Sequence, residues 1–168
     1  MILPPNINIL YLLIGSNMGD RMTNFKLAIS LIETYLGKLI ITSAVYQTAA
    51  WGMAEQDDFL NQVVVIETAL PAPDCMNKIL FIEQEMGRIR TKKNAPRIID
   101  IDILFCNSEV IKTPSLIIPH PEIEKRRFVL VPLNEISPTL IHPILKKSIH
   151  TLLAICCDPL QVSIWSES

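Results

Sequence analysis

The chain has 168 residues, of which 49% are hydrophobic and 19% are charged, and its formal net charge is −2. This composition predicts a single globular domain over residues 1–168 with its own hydrophobic core, and it excludes general disorder. Because the net charge is near zero, nothing global favours a nucleic acid or an anionic membrane, so an anion site has to come from a local cluster of basic residues.

The cysteines and the N-terminus predict a cytoplasmic protein. The four cysteines show no metal-binding spacing and no disulfide framework: Cys75, Cys106, Cys156 and Cys157. The first apolar run follows no basic segment and is interrupted by Pro4 and Pro5, unlike a signal peptide. No uninterrupted apolar run reaches about 18 residues, so we predict no membrane span.

The first elements in chain order are a strand, a helix and a second strand. The apolar run 7–14 predicts a buried strand, and the turn-rich segment 15–20 follows it. Apolar residues at helical spacing predict a helix over 21–36, with Gly37 as its C-cap. A second strand is predicted over 39–46.

The next elements repeat this order. Residues 47–58 show no period and are predicted to be a loop, and residues 59–68 are predicted to be a third strand. Asp74 is a plausible N-cap for a second helix, which runs to about Met86 and ends at Gly87.

The isoleucine-rich stretch 97–105 predicts the next strand. The alternation of a strand would place Asp100, Asp102 and Leu104 on one face. The other face would carry Ile99, Ile101, Ile103 and Phe105. The order is then β-α-β-β-α-β, which predicts an α+β, ferredoxin-like core with a mainly antiparallel sheet and two helices on one face.

Additional helices and strands are predicted after this core. Residues 109–118 could form a short strand or hairpin, and residues 122–136 one or two short helices. Ser148 can cap a last helix through Cys157, and residues 161–165 can form a final strand.

The aspartates of the 97–105 strand suggest a metal site. Two residues along a strand place their Cα atoms about 6.6 Å apart. Burying two like charges so close is unfavourable unless a cation lies between them, and Mg²⁺ binds through one or two carboxylates plus substrate phosphates. The alternative is an edge strand on which Asp100 and Asp102 simply face water.

Basic residues precede and follow this pair. Arg88, Arg90 and Arg97 lead into it, and a second run contains His120 and Arg126. Guanidinium groups suit phosphate oxygens, so carboxylates for Mg²⁺ and arginines for phosphate together indicate a nucleotide polyphosphate site. The alternatives are a solvated charged loop for the arginines and an ordinary turn residue for the histidine.

A third group of residues suits a planar heterocycle. Thr48 and Asn61 offer hydrogen bonds, and Phe59 and Phe128 offer flat apolar faces. By themselves these residues are better explained by an ordinary loop beside core aromatics.

Together these residues make the chain resemble the 6-hydroxymethyl-7,8-dihydropterin pyrophosphokinase family of folate biosynthesis, from Tyr11 to about Pro138. The resemblance rests on the following blocks: Gly15-Ser16-Asn17, Tyr46-x-Thr48, Phe59-Leu60-Asn61, Ile82-Glu83-x-x-x-Gly87-Arg88-x-Arg90, Pro96-Arg97-x-x-Asp100-x-Asp102, Pro119-His120 and Arg126-x-Phe128. The arginine block followed by the aspartate block is highly specific.

The resemblance implies an ATP-dependent transferase that moves pyrophosphate from ATP to the hydroxymethyl group of the pterin and releases AMP. Two Mg²⁺ ions would be held by Asp100 and Asp102, and the catalytic residues would be these two with Arg90 and Arg97. The implied ATP-binding residues are Glu83, Arg88, Arg90, Arg97, Ile103, His120 and Arg126. The implied pterin-binding residues are Thr48, Ala49, Trp51, Phe59, Asn61 and Phe128. The partners would be these two small molecules, with no nucleic acid and no membrane, and the chain would act as a monomer.

Two other functions are compatible with parts of the pattern. A nucleotidyltransferase with a Gly-Ser turn and an acidic pair is one, although about 85 residues separate Gly15-Ser16 from Asp100, far from the compact spacing usual for such enzymes. A non-catalytic ferredoxin-like binding module is the other, since that fold hosts many functions. The nucleotide product separates them, because a pyrophosphokinase yields AMP.

Overall fold

The computed structural model describes residues 6–49, 57–93 and 95–167, which form a main antiparallel sheet with helices on both faces. The strands are β1 (Asn8–Ser16), β2 (Lys38–Thr42), β3 (Tyr46–Thr48), β4 (Phe59–Thr68), β5 (Asp100–Cys106), β6 (Ile111–Lys112), β7 (Ile117–Ile118) and β8 (Ser163–Ile164). The helices are α1 (Arg21–Tyr35), α2 (Ala72–Glu85), α3 (Arg127–Ile136) and α4 (Ile149–Ile155), with a 3₁₀ turn at Ile123–Lys125.

The order of strands in the main sheet is β5-β1-β4-β3-β8, and β2 also pairs with β4. Because β1 already occupies one side of β4, β2 and β3 lie one after the other on the opposite side. The pairings are antiparallel, and β6 and β7 form a separate hairpin. The predicted β-α-β-β-α-β core is therefore confirmed, with the predicted C-terminal elements added to it.

The two faces of the sheet belong to two apolar clusters. The first contains Phe25 and Ile32 of α1 with Ile79 and Ile82 of α2. The second contains Val129 and Leu133 of α3 with Leu152 of α4. Burying both faces of the sheet explains why the central strands are continuous apolar runs rather than alternating ones.

The predicted 97–105 strand begins later and is irregular. It starts at Asp100, and a bulge shifts its register, because Leu12 pairs with Ile103 whereas Tyr11 pairs with Phe105. Phe105 therefore packs in the second cluster with Leu104, and its predicted place beside Ile101 was wrong. An extra residue in one strand reverses the alternation beyond it, which no count of residues along a single strand can reveal.

The predicted second strand, 39–46, is divided into β2 and β3. At the break, the Ser43 N–H donates to the Val63 carbonyl, and the Val63 N–H donates to the Ser43 hydroxyl. The chain stays next to β4 across this irregular step. Gln47 and Thr48, predicted to be in a loop, then belong to β3.

The ends of the helices agree only in part with the sequence. The C-cap of α1 is Leu36, so the prediction of Gly37 as its C-cap was wrong. Ser148 accepts a hydrogen bond from the Thr151 N–H as predicted, although α4 ends at Ile155 rather than Cys157. Gly87 follows α2 with a φ of 83°, a conformation that side chains other than hydrogen disfavour. The N-cap of α2 is Pro71 and not Asp74, which lies inside the first turn. There its negative charge faces the positive end of the helix dipole, so the residue still suits a helix start.

Among the residues that the structure describes, no helix combines the length and the apolar character needed to cross a bilayer.

Candidate active site

The site lies where β5 begins, on the sheet face opposite α1 and α2. Asp100 is opposite Gly15 of β1, and Asp102 is opposite Leu13, so both carboxylates point to one side of the sheet. Both side chains are half-buried. The structure thus brings the predicted acidic pair together on one face, next to the apolar residues of the second cluster.

Asp100 and Arg88 belong to a group of ion pairs that we call the charged cluster: Glu83, Arg88, Arg90, Arg97 and Asp100. One nitrogen of Arg88 lies 2.7 Å from Glu83 Oε1 and 2.7 Å from Asp100 Oδ1. Arg97 lies 3.5 Å from the other oxygen of Asp100. The arginines predicted to bind phosphate therefore contact a carboxylate predicted to bind metal.

Glu83 pairs with both Arg88 and Arg90 in this cluster. It comes from α2, is only 3% exposed, and accepts hydrogen bonds from Arg88, Arg90 and the Ile101 N–H of β5. Burial raises the pKa of Glu83, although the Ile101 N–H and the Arg88 guanidinium oppose that shift. A carboxylate with these partners fixes where the basic segment, which follows α2 and contains Arg88 and Arg90, meets β5.

Asn17 is a site residue for which the sequence predicted no role. Its side-chain oxygen accepts a hydrogen bond of 2.9 Å from the backbone N–H of Arg97. The backbone N–H of Asn17 in turn donates to the Arg97 carbonyl at 3.2 Å. Asn17 is 2% exposed, and its side chain also donates to the Asp57 carbonyl just before β4. The Gly15-Ser16-Asn17 turn therefore joins three segments of the site, and only its place directly after β1 could have signalled this.

An aromatic cleft opens beside Asp100. Its wall is formed by Thr48 of β3, the adjacent Ala49, Phe59 and Asn61 of β4, and Phe128 of α3. Its charged end is formed by Arg97, Asp100 and Arg126. The guanidinium of Arg97 lies over the Phe59 ring at 5.2 Å, and that of Arg126 over the Phe128 ring at 5.7 Å. The cleft thus combines flat apolar faces with positive charge.

The strand register sets the polar side of the aromatic cleft. Phe59 is opposite Thr48, and Asn61 is opposite Gly15. The Asn61 amide donates to the Thr48 hydroxyl, and both side chains are buried. A Cβ on Gly15 would lie 2.8 Å from the Asn61 side-chain oxygen, so a larger residue at this position would displace the Asn61 amide.

A second cleft, which we call the hairpin cleft, lies on the other side of the acidic pair. Asp102 and His120 form its polar end, and Met76, Ile103, Leu116 and Ile117 form apolar walls. Ile103 and His120 were predicted site residues, whereas Met76 and the residues between β6 and β7 were not. Their apolar character gave no signal until the hairpin folded against α2 and β5.

His120 is held in one orientation. The ring Nδ1 accepts a hydrogen bond from the Glu122 N–H at 3.2 Å, and the backbone N–H of His120 donates to the Leu104 carbonyl of β5. Burial, followed by the positive charge of Arg126, lowers the pKa of His120. The ring is therefore neutral at pH 7, with its proton on Nε2, which can donate to an anion.

The electrostatics of the acidic pair favour a cation. Burial first, and then the negative charges of Asp100 and Glu83, raise the pKa of Asp102 to about 7. The described residues contain no group of three or more acidic, histidine or cysteine side chains that could hold a metal by themselves. A cation here would need oxygen ligands from a substrate and water, which is how Mg²⁺ is usually bound beside phosphates.

The predicted site residues that the structure describes therefore lie around the two aspartates, in the two clefts and the charged cluster. Arg90 is the most remote of them, because its side chain is 61% exposed and contacts Glu83. Trp51 lies outside the described residues.

The family model and the similar proteins found by comparison indicate the same family. Residues 11–138 match the model of the 7,8-dihydro-6-hydroxymethylpterin-pyrophosphokinase (HPPK) family. A 2-amino-4-hydroxy-6-hydroxymethyldihydropteridine pyrophosphokinase of Aquifex aeolicus is 43% identical, over 88% of this chain and 95% of the relative. The Bacillus subtilis protein of that name is 41% identical, over 77% of this chain and 78% of the relative.

Solved structures show the same fold. A Plasmodium falciparum HPPK-DHPS structure superposes with a TM-score of 0.76 over 90% of this chain, at 21% identity. This chain spans 46% of that longer protein. It also spans 21% of a Dictyostelium discoideum folic acid synthesis protein, to which it is 42% identical. The module thus occurs both alone and within longer proteins.

Proposed function

Because this chain belongs to the 7,8-dihydro-6-hydroxymethylpterin-pyrophosphokinase family, we propose that it transfers pyrophosphate from ATP to the hydroxymethyl group of 6-hydroxymethyl-7,8-dihydropterin and releases AMP. One observation carries the assignment of roles. The aromatic cleft and the hairpin cleft are lined by Asp100 and Asp102 respectively. Two substrates in these clefts would meet at the acidic pair.

The aromatic cleft suits the pterin. Phe59 and Phe128 offer ring faces, and the buried Thr48 and Asn61 offer hydrogen bonds to the polar edge of a heterocycle. Ala49 lines the same cleft, and Trp51 belongs to this group by resemblance. With its ring between the phenylalanines, the pterin can direct its hydroxymethyl group towards Asp100.

The hairpin cleft and the charged cluster suit ATP. Ile103 and the neighbouring apolar side chains can pack against the base. Positive charge for the triphosphate comes from Arg88, Arg90, Arg97 and Arg126, and His120 can donate from Nε2. Glu83 acts here by holding Arg88 and Arg90 rather than by contacting the nucleotide.

Asp100 and Asp102 would hold two Mg²⁺ ions, which when bound would supply positive charge to the phosphates and to the attacking hydroxyl. The protein residues perform the rest. The phenylalanines orient the acceptor, and the arginines bind and neutralise the phosphate oxygens. Positioning and charge neutralisation suffice for such a transfer, so no covalent intermediate on a protein side chain is needed.

The test is to incubate the protein with ATP, Mg²⁺ and the hydroxymethyl-dihydropterin and to separate the nucleotides by chromatography. We expect AMP in equal amount to the pterin diphosphate. ADP would identify a kinase, and free pyrophosphate a nucleotidyltransferase. Unchanged ATP would identify a binding module and overturn the proposal.

We also propose that the chain acts as a single-domain monomer in the cytoplasm. All four cysteines are free, as is usual in a reducing compartment. Light scattering after size-exclusion chromatography tests the monomer, and a mass near 38 kDa, about twice the 19.0 kDa of one chain, would contradict it.

A further inference from the structure

Both oxygens of Asp100 are already paired with positive charge. Oδ1 lies 2.7 Å from Arg88, and Oδ2 lies 3.5 Å from Arg97. A divalent cation bound to either oxygen would approach a guanidinium nitrogen that contacts the same oxygen. Like charges at that separation repel, and they do so more strongly where the surroundings are partly buried.

Arg88 cannot turn into solvent without losing its contact with the buried carboxylate of Glu83. Its side chain is 11% exposed and also contacts Glu83, whose side chain is 4% exposed. Its backbone N–H donates to the Glu83 carbonyl, which fixes the start of the basic segment. Removing one partner of a buried ion pair is strongly unfavourable, so Arg88 needs another strong acceptor before it leaves Asp100.

Asp102 shows the opposite situation. Among the described residues, no lysine, arginine or histidine lies within ion-pair distance of its carboxylate. One of the two predicted metal ligands is therefore open to a cation, while the other is paired with two arginines. A free cation would meet a single available carboxylate, which makes a weak site for Mg²⁺ or Mn²⁺.

We infer that Arg88 and Arg97 keep Asp100 from a divalent cation until a polyphosphate binds their guanidinium groups, so that nucleotide and cation enter the site together. This deepens the proposed function and rests on it. Phosphate oxygens are bidentate acceptors for arginine, so a polyphosphate gives Arg88 and Arg97 replacement partners. Asp100 then becomes available to the cation. The coupling is reciprocal, because the cation in turn strengthens the nucleotide's binding.

The experiment measures Mn²⁺ binding to the nucleotide-free protein from the electron paramagnetic resonance signal of free Mn²⁺. The variant Arg88→Met removes the closer guanidinium from Asp100 and retains an apolar stem of similar length. We expect the Mn²⁺ affinity to rise about tenfold over wild type. Arg90→Met is the matched control, because Arg90 contacts Glu83 at 2.8 Å and is 61% exposed. We expect it to change the affinity by less than about twofold.

An unchanged or weaker Mn²⁺ affinity in Arg88→Met would overturn the inference. An equal rise in Arg90→Met would also overturn it, because the effect would then follow total charge and not the contact with Asp100. Circular dichroism verifies that each variant is folded. If Arg88→Met does not fold, Arg97→Met tests the second oxygen of Asp100 with the same expected rise.

These outcomes are separable from the proposed function. If Arg88→Met binds Mn²⁺ more tightly but the wild-type protein makes no AMP, the exclusion of the cation from Asp100 is supported and the transferase is refuted. If the wild-type protein makes AMP but Arg88→Met binds Mn²⁺ no more tightly, the transferase is supported and the exclusion of the cation by the arginines is refuted.

Discussion

The aromatic cleft and the charged cluster lie side by side at Asp100, yet different interactions hold them. The cleft takes its shape from strand pairing, because β3 and β4 place Phe59 opposite Thr48 and β1 places Gly15 opposite Asn61. Arg88 and Arg97 lie outside regular secondary structure and are positioned by side chains, chiefly Glu83 and Asn17. Geometry set by strand pairing should tolerate loss of a single side chain, whereas geometry set by a buried ion pair should not.

The largest effect is expected at the acidic pair, because Asp100 belongs to both regions and Asp102 lies next to it on the same strand face. Asp102→Ala or Asp100→Ala should lower the turnover number on the order of 10³-fold, since metal ligands contribute several kcal/mol to such transfers. The thermal midpoint should change little for Asp102→Ala, because no ion pair of the described residues is broken. Exposed Glu33 on α1 provides the control, Glu33→Ala. Near-normal turnover in either aspartate variant would exclude that residue as a metal ligand.

The charged cluster should depend strongly on Glu83. Glu83→Gln removes the buried carboxylate that pairs with Arg88, whose side chain is 11% exposed and would keep Asp100 as its anionic partner, so the free energy of unfolding should fall by about 3 kcal/mol. Urea unfolding measures this. Glu85→Gln, at an exposed position of the same helix, should leave the midpoint unchanged. An equally small effect at Glu83 would show that the cluster is not held by this carboxylate.

Substitution of an aromatic residue in the cleft should weaken pterin binding without changing the shape of the cleft. Phe128→Ala removes one ring face, so the dissociation constant for the pterin should rise about tenfold. The constant for ATP, measured separately by calorimetry, should change much less. Phe81→Ala on the outer surface of α2, where the ring is 40% exposed, is the control. Equal weakening of both substrates would argue against a stacking role.

The smallest effect is expected from a substitution within a paired strand of the cleft. In Gly15→Ala the new methyl group would lie 2.8 Å from the Asn61 side-chain oxygen, so the amide has to shift while the strand pairing persists. The KM for the pterin should rise about threefold, and that for ATP should stay constant. Steady-state kinetics with one substrate varied at a time makes the comparison, and an unchanged KM for the pterin would remove Asn61 from the recognition of the heterocycle.

The sequence predicted the order of the core elements because that order depends on local patterns. The apolar runs of β1 and β4, the helical spacing in α1 and the glycine after α2 each act within a few residues. The face shared by Asp100 and Asp102 was predictable for the same reason, since alternation along a strand holds until a bulge intervenes. Phe105 lies beyond the bulge, where that reasoning fails.

What only the tertiary structure decided is how the polar residues pair. The Asp100-x-Asp102 pattern and the surrounding arginines are legible in the chain itself, and they indicate a cation and a polyphosphate. That Arg88 and Arg97 contact Asp100 while Asp102 lacks an ion pair among the described residues depends on where α2, the basic segment and β5 converge. The role of Asn17 likewise required segments 80 residues apart in sequence to meet. Periodicity and local propensity act over short distances along the chain, whereas ion pairs and buried hydrogen bonds are decided by distances in space.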